Sequence, residues 1–190
     1  MRTRIPALFL VLVLVALAAG CGNRRLLLGV DALSFTAPAD REYAFGPVPP
    51  LPVPIETGEV PVLDDMKVNL FGSAQKIVSV DAVTITFSAS ASDSTGDGLD
   101  TLRVYLSGPD SDPMSTPPVI TAPFVLQPGQ TVPVHAVVSG DPRVNALFTQ
   151  NSMRVTVTTS FAGPASGSPL NGRLSLTELK ADVIARHGSL

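Results

Sequence analysis

Tryptophan is absent from this 190-residue chain, tyrosine occurs only as Tyr43 and Tyr105, histidine only as His135 and His187, and cysteine only as Cys21. Each scarcity removes a class of chemistry. Without a second cysteine no internal disulfide can form, so the fold must be held by its apolar core alone. Two histidines are too few for a zinc site unless carboxylates complete it. His135 falls on the face opposite Val132, Val134 and Ala136, which reads as a surface or inter-strand position, and His187 reads as a solvated residue near the C-terminal end. Sugar-binding sandwiches stack ligands on aromatic faces, whereas the aromatic residues here are mostly Phe, better suited to a core.

Charge is sparse as well. Lysine and arginine number 13 against 16 acidic residues, and this acidic balance gives no electrostatic case for nucleic acid. No glycine loop of the phosphate-cradling kind is present. Ser166, in Gly163-Pro164-Ala165-Ser166-Gly167, does not fit the nucleophile elbow of a hydrolase. Asp64 and Asp65 are adjacent, so an extended chain points them to opposite faces, where they cannot share acid and base roles. The spacing of reactive residues therefore predicts a non-catalytic protein with no cofactor, and it identifies no small-molecule substrate.

What is present begins at the first residues. Arg2 and Arg4 precede an unbroken run from Ile5 to Ala19 that matches the charged and hydrophobic regions of a secretory signal. As a helix that run spans only about 22 Å, short of the roughly 30 Å hydrocarbon slab, so it reads as a removable export signal over residues 1–20. The segment Leu17-Ala18-Ala19-Gly20-Cys21 resembles the lipobox of bacterial lipoproteins. That resemblance implies that Cys21 receives a diacylglyceryl group and becomes the acylated first residue of the mature chain. The third residue before the cysteine is usually leucine in this family and here is Ala18. Ala16-Leu17-Ala18 also satisfies the rule for ordinary signal cleavage, which would release a soluble protein. Gly22, not aspartate, follows the cysteine. By resemblance this points to the outer membrane of the bacterial envelope over the inner membrane.

Removal of residues 1–20 leaves 11 basic against 16 acidic side chains, a net charge of −5. Arg24 and Arg25, just after the cysteine, read as a headgroup contact beside the lipid. Residues 21–61 read as a tether with one edge strand around Leu28, Val30, Leu33 and Phe35, whose spacing changes phase after Val30. Prolines at 47, 49, 50, 52, 54 and 61 deny donors to a sheet and favour polyproline II. Such a stretch either holds the body about 50 Å from the anchor or lies irregularly along the domain.

From residue 62 to 187 the chain reads as an all-β antiparallel sandwich of about seven strands with one short helix. Period-two alternation marks strands at Met66–Leu70, Val83–Ala89, Leu102–Leu106, Val119–Leu126, Val132–Val138 and Met153–Phe161. Pro123 demotes its segment to an edge or bulged strand. Asp141 and Pro142 provide an N-cap and first position for the helix, with Val144, Leu147 and Phe148 on one face. In the last segment Leu174 and Leu176 are out of phase with Leu179, Ala181 and Val183. A strand with a bulge near Thr177 and Glu178 reconciles them, and a helix capped at Ser175 is the alternative. The domain is similar to immunoglobulin-like sandwiches in its strand spacing and in the Leu126-x-Pro128-Gly129 turn before a strand, although their Cys and Trp hallmarks are missing.

The acidic loop from Asp93 to Asp100 is the one candidate for metal. Counted from Asp93, Thr95, Asp97 and Gly98 occupy the third, fifth and sixth places of an EF-hand loop, but Val104 stands where the bidentate glutamate belongs. Asp110 and Asp112 lie past the following strand and so at its other end. The sequence thus favours a membrane-anchored envelope lipoprotein, structural or binding an envelope protein. The rival is a secreted calcium-dependent adhesion module or hydrolase built on the Asp93 to Asp100 loop.

Overall fold

The computed structural model describes residues 24–50, 58–70, 77–162 and 169–187. Cys21, the export signal and Ser166 lie outside the described residues. Among the described residues nine strands form two sheets. They are β1 (Arg24–Asp31), β2 (Glu42–Val48), β3 (Val60–Asn69), β4 (Ile77–Ser92), β5 (Gly98–Ser107), β6 (Ile120–Leu126), β7 (Val132–Ser139), β8 (Ser152–Ala162) and β9 (Leu170–His187). One sheet has the order β1-β9-β4-β7 with β2 also on β9, and the other has the order β3-β8-β5-β6. Every pairing is antiparallel. The all-β sandwich expected from alternation is the architecture found, and residues 60–187 supply the seven strands.

Counted from β3, the pairings β4–β7 and β5–β8 match the second–fifth and third–sixth strand neighbours of an immunoglobulin sandwich. The first, fourth and last strands, β3, β6 and β9, sit in the sheets opposite to that arrangement. Strands that carry proline lie at sheet edges: Pro61 in β3, Pro123 in β6 and Pro133 in β7. A missing donor costs nothing on the side that faces water.

The core fills the space between the sheets because each strand gives it every second residue. Val83, Ile85, Phe87, Ala89 and Ala91 of β4 face Leu102, Val104 and Leu106 of β5 and Val155 and Val157 of β8, all buried. The helix α1 (Pro142–Leu147) closes one end. Asp141 caps it by accepting the Arg143 amide at 2.8 Å, and Val144 and Phe148 insert into the core. These are the cap and the apolar face that the sequence predicts.

The tether expected over 21–61 is corrected for residues 24–48. β1 lies along the C-terminal half of β9, from Arg24 opposite His187 to Asp31 opposite Lys180, and β2 lies along the N-terminal half. Between them the chain leaves the sheet through two 3-10 turns, Ala32–Phe35 and Pro38–Arg41. Asp31 starts the first by accepting the Leu33 amide, and Arg41 fastens the excursion by donating to the carbonyls of Leu33 and Thr36. The phase change after Val30 is the point at which the chain departs. The proline-rich stretch accordingly joins β2 of one sheet to β3 of the other; it does not separate an N-terminal anchor from the body. β9, at 18 residues, is long enough to seat both strands end to end.

The ambiguous last segment is a strand with a bulge. Ser88 pairs with Glu178 and Ala89 with Leu176, so Thr177 has no partner on β4. The extra residue brings Leu174 and Leu176 into register with Leu179, Ala181 and Val183, and all five are buried.

Candidate functional site

The outer face of the five-stranded sheet carries a cross-strand row of polar side chains beside that bulge. Ser88 of β4 stands between Glu178 of β9 and His135 of β7 because the three are in register. Its Oγ donates to Glu178 Oε2 at 3.1 Å and lies 3.0 Å from His135 Nδ1. A hydroxyl has one proton, so once Glu178 holds it, Ser88 is left to accept from a protonated Nδ1. The order is therefore carboxylate, hydroxyl, imidazole. Acyl transfer needs the imidazole between the other two, so that a carboxylate orients the base that takes the serine proton. This row instead ties three strands together. An open depression of about 620 Å³ adjoins it, lined by Asp31, Leu33, Arg41, Ser88, Thr177, Glu178 and Lys180. The Arg41 guanidinium is already engaged by the 3-10 turns, and Lys180 is held charged by Asp182 beside it.

A second polar group lies on the outer face of the four-stranded sheet. The Glu59 carboxylate accepts from Tyr105 at 2.8 and 2.9 Å and from Thr158 at 2.7 Å, with Arg103 3.7 Å away. Burial first, and then the bond to Glu59, push the Tyr105 phenol up to about 12. Arg103 also donates to Ser160 at 2.7 Å. Thr156, Thr158 and Ser160 are buried although they face outward, and Glu59 satisfies the middle one. Tyr105, one of two aromatics that could stack a sugar, is spent in this cluster; Tyr43 packs against the core.

The acidic loop is not gathered. Asp93 and Asp97 are exposed, Asp93 with a φ of 54°, while Asp100 is fully buried within β5. It shares the inward phase of Leu102 and Val104, and its Oδ1 accepts the Thr159 hydroxyl at 2.6 Å. Among the described residues Oδ2 finds no donor. Desolvation pushes this carboxyl up to about 7, against the hydrogen bonds from Thr159 and the Thr101 amide and the charge of Arg103. Among the described residues no three His, Cys, Asp or Glu side chains come together in a way that could hold a metal ion.

The remaining acidic candidates have local partners. Asp112 caps a 3-10 turn by accepting the Met114 amide, and Asp110 is exposed next to it. Asp65 sits in a bulge of β3 with a φ of 43° and forms a bidentate ion pair with Arg154 that holds its carboxyl below the ordinary value. Asp64 is exposed. His135 is exposed as expected, and His187 is the last residue of β9. Sequence reasoning missed Ser88, Glu178 and Glu59. The signal for the first two was their outward phase on strands flanking an expected bulge.

Two antiparallel sheets closed by one helix, with surface polar groups that satisfy each other, define an all-β sandwich. No family model matches the chain, and no curated protein does. Among solved structures it is similar to those of infectious bursal disease virus. For the Gt strain the identity is 13% and the TM-score 0.38, over 87% of this chain and 38% of the viral one. For the Gx strain the values are 13%, 0.38, 87% and 37%. The chain thus spans under two fifths of the length of those viral chains.

Proposed function

We propose that this protein is a lipid-anchored, non-catalytic β-sandwich of the bacterial envelope, held at the outer membrane by acyl groups on Cys21 and serving as a structural or protein-binding module. The observation that carries the reading is the sequence Leu17-Ala18-Ala19-Gly20-Cys21 after a short apolar run. Two features agree with it. Arg24 and Arg25, which follow closely on Cys21 in the sequence, suit the headgroups beside such an anchor. The serine, histidine and carboxylate that do meet are ordered for holding strands together, not for acyl transfer. The calcium-dependent rival loses Asp100, which is turned into the core. Metabolic labelling with a fatty acid tests the anchor: the wild type takes up label and Cys21→Ser does not. An unlabelled wild type overturns it.

A further inference from the structure

We propose that the N-terminal corner of the five-stranded sheet, formed by Arg25 and Leu27 of β1 and Ile184 and Arg186 of β9, is a membrane-contact surface that seats the body directly on an anionic phospholipid bilayer. The proposal rests on the acyl anchor at Cys21 and adds to it where the folded domain lies. The first argument is reach. Between Cys21 and Arg24 there are three peptide units, at most about 11 Å of extended chain. β1 is built into the sandwich from Arg24 onward, and the proline-rich stretch that could have served as a spacer runs between β2 and β3. Acyl chains buried in a bilayer therefore hold this corner at the headgroups with no slack to stand off.

The second argument is what the corner presents. Leu27 is 82% exposed and stands directly opposite Ile184, which is 36% exposed; Ala82 of β4 stands opposite Ile184 on the other side. The three form an apolar row beside a shallow groove of about 360 Å³ that Gly29 and Ala82 line next to them and that turns polar at Thr84 and Asp182. One exposed leucine on a soluble domain means little. This pair sits one step along the strands from Arg25 and Arg186, which are also opposite each other. Both arginines converge on Asp81, at 3.7 Å and 3.0 Å, which leaves one positive charge in excess with Arg25 still largely in solvent. Apolar side chains flanked by surplus cation, on the side where the lipid enters, match the boundary between acyl chains and phosphates. Farther along the same face the rows become the paired charges Lys180 and Asp182, which belong in water.

Acylation consumes the thiol of Cys21, so an introduced cysteine is the only free one in the mature lipoprotein. Leu27→Cys, Ile184→Cys and Val125→Cys each accept a spin label. Val125 is 56% exposed on β6 of the opposite sheet and serves as the reference in water. The labelled lipoproteins are reconstituted in vesicles of phosphatidylethanolamine and phosphatidylglycerol. Collision with oxygen is then compared with collision with a water-soluble nickel chelate. At positions 27 and 184 the ratio of oxygen to nickel collisions is expected to exceed that at 125 several-fold. If all three labels behave alike while the protein still floats with the vesicles, the anchor stands and the contact is overturned. If the protein carries no acyl chains and does not float, the anchor falls and the contact falls with it.

Discussion

Thr159 on β8 donates its hydroxyl to Asp100 on β5 at 2.6 Å inside the core, while Oδ2 of the same carboxyl finds no donor among the described residues. A buried carboxylate with one oxygen unpartnered is costly, so the group favours its neutral form, with a pKa pushed up to about 7 from the ordinary 3.8. Between these two values the folded chain keeps a proton that the unfolded chain has released. Stability from this group is therefore full below about pH 4, declines as pH rises to about 7, and is flat above. Asp100→Asn places a neutral group in the same volume and removes that slope. Denaturant midpoints across the window should fall with pH in the wild type relative to the variant. Around neutral pH and above, the variant should be more stable by roughly 1–3 kcal/mol, part of the gain being offset by an unpaired amide. Parallel profiles would sink this account.

Gly172 of β9 lies beneath the ring of Phe45. A Cβ there would collide with Cζ of that ring and stand 2.8 Å from Cε1. The ring cannot simply swing away, because it stacks on Phe161 with centroids 4.3 Å apart. Gly172→Ala is expected to cost about 1–3 kcal/mol by overpacking. Gly29→Ala, where the nearest atoms would be 3.7 and 3.8 Å away, is the control and should fall within about 0.5 kcal/mol of the wild type. Thermal melts of the two variants side by side provide the measurement.

The acidic loop makes a ligand prediction. Asp97 and Asp93 point into solvent and Asp100 is committed to Thr159, so a divalent ion would find two scattered carboxylates. Calcium at millimolar concentration should leave the melting temperature unchanged. A ligand of the folded state must raise it by mass action, and a clear increase would restore the metal-dependent reading.

Most of the sandwich was legible because each strand from β3 to β9 turns one apolar face to the core, and that is what writes alternation into a sequence; even β8, buried on both faces, keeps Thr and Ser on its outward side. Even the bulge in β9 was readable, since two in-phase runs of leucine and valine one residue out of step admit few other solutions. Asp100 was not read correctly. Its acidic neighbours Asp93 and Asp97 suggested a solvated or metal-binding turn, yet counting backward from Leu106, Val104 and Leu102 places it on the inward face. β1 and β2 were obscured for another reason: they occupy an edge, so outward residues such as Leu27 escape the polar rule, and the excursion from Ala32 to Arg41 interrupts their period. The row Glu178–Ser88–His135 depends on register across three strands, which no single stretch of chain encodes.

Thr177 supplies the sharpest test of that register. Side chains alternate with a period of two, so losing one residue from a regular stretch of strand reverses every side chain on one side of the gap. Thr177 escapes this rule because it is the residue without a partner on β4. Its deletion leaves Ser88 opposite Glu178 and Ala89 opposite Leu176 as before, and it brings Leu176 and Leu179 two residues apart, on one face without a bulge. The other edge of β9 offers no resistance, since β2 pairs only as far as Ser175 and β1 only from Lys180 onward. The deletion is therefore expected to keep a cooperative melt within about 2 kcal/mol of the wild type, the cost being the local twist that the bulge supplied. Deleting Asp182, which is exposed like Thr177, has the opposite outcome. If the bulge closes to fill that gap, Leu179 and Ala181 turn outward and Glu178 and Lys180 turn inward; if it persists, Val183 and Ala185 turn outward and Ile184 and Arg186 replace them. Leu179, Ala181, Val183 and Ala185 are all buried in the native sheet. Exposing a large apolar side chain costs about 1.5–3 kcal/mol, and burying an unpaired charge costs more, so either arrangement rivals the roughly 5–15 kcal/mol that holds a domain together. The Asp182 deletion should thus show no cooperative melt. Equal loss of structure in both deletions would mean that Thr177 is not a spare residue, and the bulged reading of β9 would fail.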